Sequence, residues 1–205
     1  MSAGSLLERL AGHDGYAADL DLSEGLGPGE VLDGVELEAC RLDGCVLEKA
    51  VLRGCTFTDC TFTGCNLTMA ILDGSRFQDC RFADCKALAV AWGSAAPAPL
   101  SARPWDMERC RLDLGSFRDA AAAGARLVDC SLREVDLAGA DLRRAELTCC
   151  DLTAATFAGT DLREASLVGS SGYLLDPADN RVRGLRIDAA GAGGVLRALG
   201  VVVED

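Results

Sequence analysis

The chain has 205 residues, 49% of them apolar but only 5% aromatic, with 25% charged and a formal net charge of −12. Disorder requires low hydrophobicity, so this composition excludes it, and no apolar run reaches the ~18–20 residues that span a bilayer. The negative charge disfavours nucleic acid or anionic membrane as a partner and leaves a basic partner open.

The first 21 residues hold Leu6, Leu7, Leu10 and Tyr16 and read as an N-terminal cap or lead. The opening MSAGSLLERLAGHDG has no basic n-region and no long apolar run, which reads against an export signal. His13, the single histidine, lies between Gly12 and Gly15 and is expected at the surface, not as a catalytic base.

From Leu22 the sequence keeps a period of five. Stepping by five from Leu22 to Leu167 gives 30 slots, and Leu or Phe fills 23 of them. All six Phe residues (Phe57, Phe62, Phe77, Phe82, Phe117 and Phe157) are in this register. The exceptions are Gly27, Ala87, Trp92, Pro97, Ala102, Met107 and Ala122. A period of five matches neither the 3.6 of a helix nor the 2.0 of a strand. Two residues before each large side chain stands a small one: Val, Ala, Cys or Ser from Val35 to Ala95, and Cys, Gly, Ala, Val or Thr from Cys110 to Ala165. One large and one small inward residue, two apart, describe a short strand followed by a turn. The three remaining positions carry Asp, Glu, Arg, Thr and Gly, as a solvated surface should. Residues 22–92 are expected to form a first regular segment.

Register weakens next. Pro97, Pro99 and Pro104 cannot sit in a regular ladder, and Trp105 occupies a small-residue slot that it should not fit. Residues 93–106 are therefore expected to loop out, with Pro104 and Trp105 as an exposed partner contact. Phe82 and Leu112 flank the weak stretch thirty residues apart, so the arithmetic phase survives, but a looped stretch need not equal whole coils.

A second regular segment is expected over 107–172. Residues 173–205 then leave the repeat. GYLLDPADNRVRGLRID reads as a degenerate last coil with a turn at Asp176–Asn180. Asp188 can cap a helix that Gly200 ends. Gly191, Gly193 and Gly194 each weaken that helix by roughly 1 kcal/mol against Ala. Val201–Val203 offer a short strand. A weak helix and an apolar strand at an open end suggest docking onto another copy, with Leu196, Leu199, Val201 and Val203 as the dimer interface.

The repeats CRLDG, CNLTM, ADLRR, AELTC and TDLRE resemble the pentapeptide-repeat family. That resemblance implies an all-β fold, a right-handed quadrilateral β-helix with four pentapeptides per coil. About seven coils at roughly 4.8 Å each would make a rod about 35 Å long. Residues 20 apart would then stack. Cys40, Cys60 and Cys80 form one ladder, Cys45, Cys65 and Cys85 a second, and Cys110, Cys130 and Cys150 a third if the phase holds. Ten of the eleven cysteines occupy small-residue slots, all but Cys149. Compact apolar filler explains them; there is no CxxC pair to suggest a metal site. Reduced thiols imply the cytoplasm.

Within the family, CKALAVAW (Cys85–Trp92), the restart MERCRL and the ending VLRALGVVVED resemble the Qnr, MfpA, McbG and AlbG type, and AlbG and McbG most. Proteins of that type bind DNA gyrase and protect it from poisons. The resemblance implies a head-to-head homodimer whose rod imitates B-DNA in width and charge. The charge distribution agrees: 15 acidic and 6 basic residues up to Cys85, against 17 and 14 from Lys86 onward. Within the acidic arm, one face carries Glu36, Glu38, Asp59 and Asp79 against Arg76, and is the candidate surface for the gyrase partner. The alternative is a structural or assembly module with another protein partner. No cofactor is expected. An enzyme is not expected either, because there is one His, no GxSxG and no phosphate-binding loop.

Overall fold

A computed structural model describes residues 15–23, 25, 26, 28–98 and 103–203. Leu6, Leu7, Leu10 and His13 of the expected lead lie outside the described residues. The rest winds into a parallel β-solenoid. Tyr16, Glu36, Thr56 and Arg76 pair in one column, and Asp21, Arg41, Thr61 and Arg81 in the next. Val46, Asn66 and Lys86 form a third column, and Val31, Val51 and Ile71 a fourth. Every step is twenty residues, so one coil is four pentapeptides. The longest sheet has seven strands, from Asp21–Leu22 to Glu146–Thr148, and bridges continue it to Ser166 and Arg186.

The inward residues are those the period selects. Leu37, Leu52, Phe62, Leu67, Leu132 and Leu147 are buried, and so are the exceptions Ala87, Trp92, Met107 and Ala122. Coils are joined through the outer backbone: Thr61 N–H donates to the Cys40 carbonyl at 3.0 Å and Asn66 N–H to Cys45 at 2.9 Å. The turn residue that ends most repeats adopts left-handed φ, +52° at Asp59 and +57° at Gly54, for example. In the first coil Leu26 is buried, and its N–H bonds the Val46 carbonyl.

Phenylalanines stack coil on coil. Phe57 lies 4.8 Å from Phe77 and Phe62 lies 4.6 Å from Phe82, both nearly parallel.

At the break, the register steps by 25 residues, with Arg81 against Asp106, Lys86 against Arg111 and Ala91 against Ser116. One extra pentapeptide stands outside the ladder and the four columns survive. The interruption is shorter than the sequence suggests. Ala96 N–H still donates to the Ser75 carbonyl at 2.8 Å, and Asp106–Glu108 is again a strand. Ion pairs brace the joint: Arg81–Glu108 at 2.6 Å, Arg109–Asp84 at 2.7 Å and Arg126–Asp106 at 2.9 Å.

Trp105 contradicts its expected role. It fills the small-residue slot after all, 6% exposed, with ring centres 5.7 Å from Phe77, 5.2 Å from Trp92 and 6.3 Å from Phe117. The indole finds room because alanines Ala95 and Ala120 line the same space. Pro104 is half-buried beside it.

The 25-residue step also joins two cysteine ladders. Cys85 stacks under Cys110, so Cys45, Cys65, Cys85, Cys110, Cys130 and Cys150 form one buried column. Their thiols donate to carbonyls of the coil below, as Cys65 does to Leu42 at 3.2 Å. The adjoining thiols of Cys110 and Cys65, then burial, push Cys85 up; Cys110, Cys150 and burial do the same to Cys130. Such groups stay protonated and unreactive.

After the turn at 177–179 the chain forms one helix, α1 (Ala189–Ala198). Val201–Val203, expected as a strand, form none: Val201 N–H instead donates to the Leu196 carbonyl at 2.9 Å, at the end of α1. An isolated segment of three residues has no ladder to join within its own chain.

Two outcomes follow from this packing. Phe62→Asp places a charge between coils with no partner, at a cost of several kcal/mol; the expected result is insoluble protein, and a soluble, normally folded variant would refute the register. In a native thiol titration, Cys149 alone should react promptly of the eleven cysteines, because it alone is exposed; all should react in denaturant. Rapid native labelling of several thiols would refute the closed lumen.

Candidate partner-binding surfaces

The strands Tyr16–Ala18, Glu36–Glu38, Thr56–Thr58 and Arg76–Gln78 form one four-stranded sheet with alternate residues outward. Glu36 and Glu38 flank the buried Leu37 and both are exposed. Asp59 and Asp79 follow their strands at the corner, each exposed with φ +52°. All four carboxylates therefore share the face expected of them. Coils ~4.8 Å apart hold them in rows.

Asp19 belongs to the same corner row, since its N–H bonds the Glu38 carbonyl at 3.0 Å. Sequence reasoning passed over it because it precedes the first Leu of the register, although the twenty-residue step from Ala39 points to it. Tyr16 donates its hydroxyl to Glu38 at 2.8 Å, and that carboxylate pushes the Tyr16 phenol up. Pro104 and Trp105 do not join this surface as an exposed contact. They line a cavity of about 20 Å³ with Phe77, Trp92 and Pro97, too small for a metabolite.

A second surface lies at the C-terminal end. Asp188 caps α1 by accepting from Gly191 N–H at 2.7 Å, and ties it to the last coil by accepting from Gly169 N–H at 2.8 Å. These two backbone donors hold its carboxyl below the usual carboxylate range. The helix glycines have a packing role. A Cβ on Gly191 would lie 2.0 Å from the Tyr173 hydroxyl, and one on Gly194 would lie 2.3 Å from the Tyr173 carbonyl oxygen. Docking through these glycines turns Leu196 and Leu199 outward, 40% and 55% exposed. Val201 and Val202 are 46% and 82% exposed, while Val203 is half-buried. Leu196, Leu199 and Val201 thus form an uncovered apolar end.

Among the described residues, no group of three or more His, Cys, Asp or Glu side chains could hold a metal ion. No described helix is long and apolar enough to cross a membrane.

Residues 35–86 match a sequence profile of pentapeptide repeats, and residues 116–148 and 145–171 match a second such profile. The chain belongs to the pentapeptide-repeat family. Among solved structures, it is similar to a trypsin-treated variant of QnrB1, described as a plasmid-mediated fluoroquinolone resistance protein. That match has 18% identity and a TM-score of 0.62, covering 92% of this chain and 100% of the other. A second trypsin-treated QnrB1 variant gives 20% identity and a TM-score of 0.53 over 91% and 99% of the two chains. HetL, a pentapeptide-repeat protein involved in heterocyst differentiation regulation in a Nostoc cyanobacterium, matches at 18% identity with a TM-score of 0.28, over 91% and 94%. At these identities the QnrB1 likeness establishes a shared fold. No curated protein matches the sequence.

The glycine contacts make a direct test possible. Gly194→Val drives a side chain into the Tyr173 backbone and should undock α1, at a cost of about 1–3 kcal/mol. Limited proteolysis should then cut within residues 189–203 faster than in the parent. An unchanged cleavage pattern would show that the close approach is not needed.

Proposed function

We propose that this chain is a binding protein, not an enzyme, that engages a type II topoisomerase of the DNA gyrase kind and protects it from a poison, conferring resistance. The observation that carries the reading is the flat acidic face of the N-terminal arm, set on a rod whose fold is shared with a fluoroquinolone-resistance protein. Asp19, Glu36, Glu38, Asp59 and Asp79 project from successive coils, opposed by Arg76 alone on those strands and corners. A regular row of carboxylates offers a basic DNA-binding groove what a phosphate backbone offers it, which makes the face a DNA mimic. Duplex DNA itself, carrying about one charge per 1.7 Å, should be repelled by that face.

The exposed Leu196, Leu199 and Val201 support a homodimer through the C-terminal ends, with Val203 at its margin. Ten buried cysteines, none of them in a disulfide, suit a reducing cytoplasm.

The test is a gyrase supercoiling and cleavage assay with and without a fluoroquinolone, titrated with this protein. The parent should restore supercoiling in the presence of the drug. Changing Glu36, Glu38, Asp59 and Asp79 together to Lys should weaken binding about tenfold or more, about 1.4 kcal/mol, and leave the fold intact because all four point outward. Equal protection by the four-lysine variant would eliminate the acidic face. No protection by the parent would favour an assembly module. Trp105→Ala is not a loop probe, since it empties a core position and should act by destabilising the rod.

A further inference from the structure

The two ends of the rod are not alike. The first coil carries Ala17, Leu22, Leu26 and Leu32 inward, and the second coil is bonded onto it through Glu36 N–H to the Gly15 carbonyl at 2.7 Å and Val51 N–H to the Glu30 carbonyl at 2.8 Å. Among the described residues no further coil continues the ladder beneath it. Its inward side chains should therefore show one bare side to water. Instead Ala17, Leu22, Leu26 and Leu32 are each 3% exposed or less. The last coil supplies the contrast: its inward Val182, Leu185 and Ile187 are only half-buried, although α1 lies against that end of the core through Val195. The exposures at the first coil belong to one chain by itself, so what covers it is not a second copy.

We propose that residues 5–11 form a short amphipathic helix that lies across the N-terminal opening of the rod, with Leu6, Leu7 and Leu10 seated on Ala17, Leu22, Leu26 and Leu32. The sequence pattern fits that role. Ser5 and Glu8 stand three apart, the spacing in which each side chain caps the other's backbone at a helix start. Leu6, Leu7 and Leu10 share one face of a helical turn, and Gly12 follows as a stop. A helix this short does not hold its shape in water and needs a surface to bury its leucines. The floor of the first coil is apolar and lies where the segment ends. From Gly12 to Gly15 the extended chain spans about 10 Å, enough to turn from the wall back over the lumen. An end closed by its own chain has no free edge for another rod to extend. Assembly is then left to the C-terminal end, where the last coil is half-covered and Leu196 and Leu199 are exposed.

This cap does not rest on the proposed topoisomerase reading. The experiment is native amide hydrogen exchange read by mass spectrometry on the full chain, comparing residues 16–33 of the first coil with residues 51–73 inside the rod. In the parent, the first coil should be protected as the interior is, and equally so after extensive dilution, because the cover belongs to the same chain. One variant carries Leu6→Asp, Leu7→Asp and Leu10→Asp, which sets charges against the apolar floor. Its residues 16–33 should exchange about tenfold faster or more when dilute, while residues 51–73 keep the parent rate and so report that the rod is still folded. A second variant carries Leu6→Met, Leu7→Met and Leu10→Met, which keeps apolar bulk and helix propensity, and should restore the parent's protection. An unprotected first coil in the parent, protection that dilution removes, a dilute aspartate variant that exchanges like the parent, or a methionine variant as fast as the aspartate one would each overturn the proposal.

Discussion

The coil-to-coil hydrogen bond is the constraint from which the other features descend. Thr61 N–H to Cys40 and Asn66 N–H to Cys45 are two instances of a contact repeated up the rod. Such bonds fix coils at ~4.8 Å, the spacing of paired strands. Every inward side chain must then lie on the one twenty residues away. Phe57 on Phe77 and Phe62 on Phe82 satisfy that by stacking flat. The second inward position lies beside these rings and the backbone, so outside the break it takes small side chains, most often Cys or Ala. A thiol suits it twice over, since it fills the space of a small apolar group and donates weakly to a carbonyl of the coil below.

The same constraint explains how an insertion is tolerated. The ladder accepts whole repeats, so an extra pentapeptide can stand aside while Asp106 settles on Arg81. What has to be repaired is the lumen. Trp92, Trp105 and Phe117 do this by packing edge-on and face-on above Phe77 and Phe82. Outside, Glu108 and Asp84 hold Arg81 and Arg109 across the joint. Exposed ion pairs contribute little singly, ~0.2–1 kcal/mol each, so the aromatic cluster is the larger stabilising element.

This architecture leaves its exposed chemistry on flat outer walls and at open ends. A wall presents its charges at fixed intervals, so a run of carboxylates or of arginines becomes a patterned surface. At the C-terminal end, Gly191 and Gly194 let α1 lie directly on Tyr173. Residues that weaken the helix by propensity therefore secure its docking, and the apolar side chains left outside become available to another chain.

The sequence by itself determined the repeat, the inward positions, the small-residue slots and the place of the acidic face. Those depend on local spacing, because a pentapeptide period with one large and one small inward residue admits few backbones. It also located Glu36, Glu38, Asp59 and Asp79 on one wall, since the twenty-residue step needs no knowledge of the break. Only the tertiary structure decided what happens across the interruption. Trp105 reads as misplaced in the repeat, yet the alanines around it make room. The ladders ending at Cys85 and starting at Cys110 read as separate, yet a 25-residue step makes those two one. In each case the deciding quantity is how much chain leaves the ladder before it returns, and that is set by packing in the lumen, which no local spacing records.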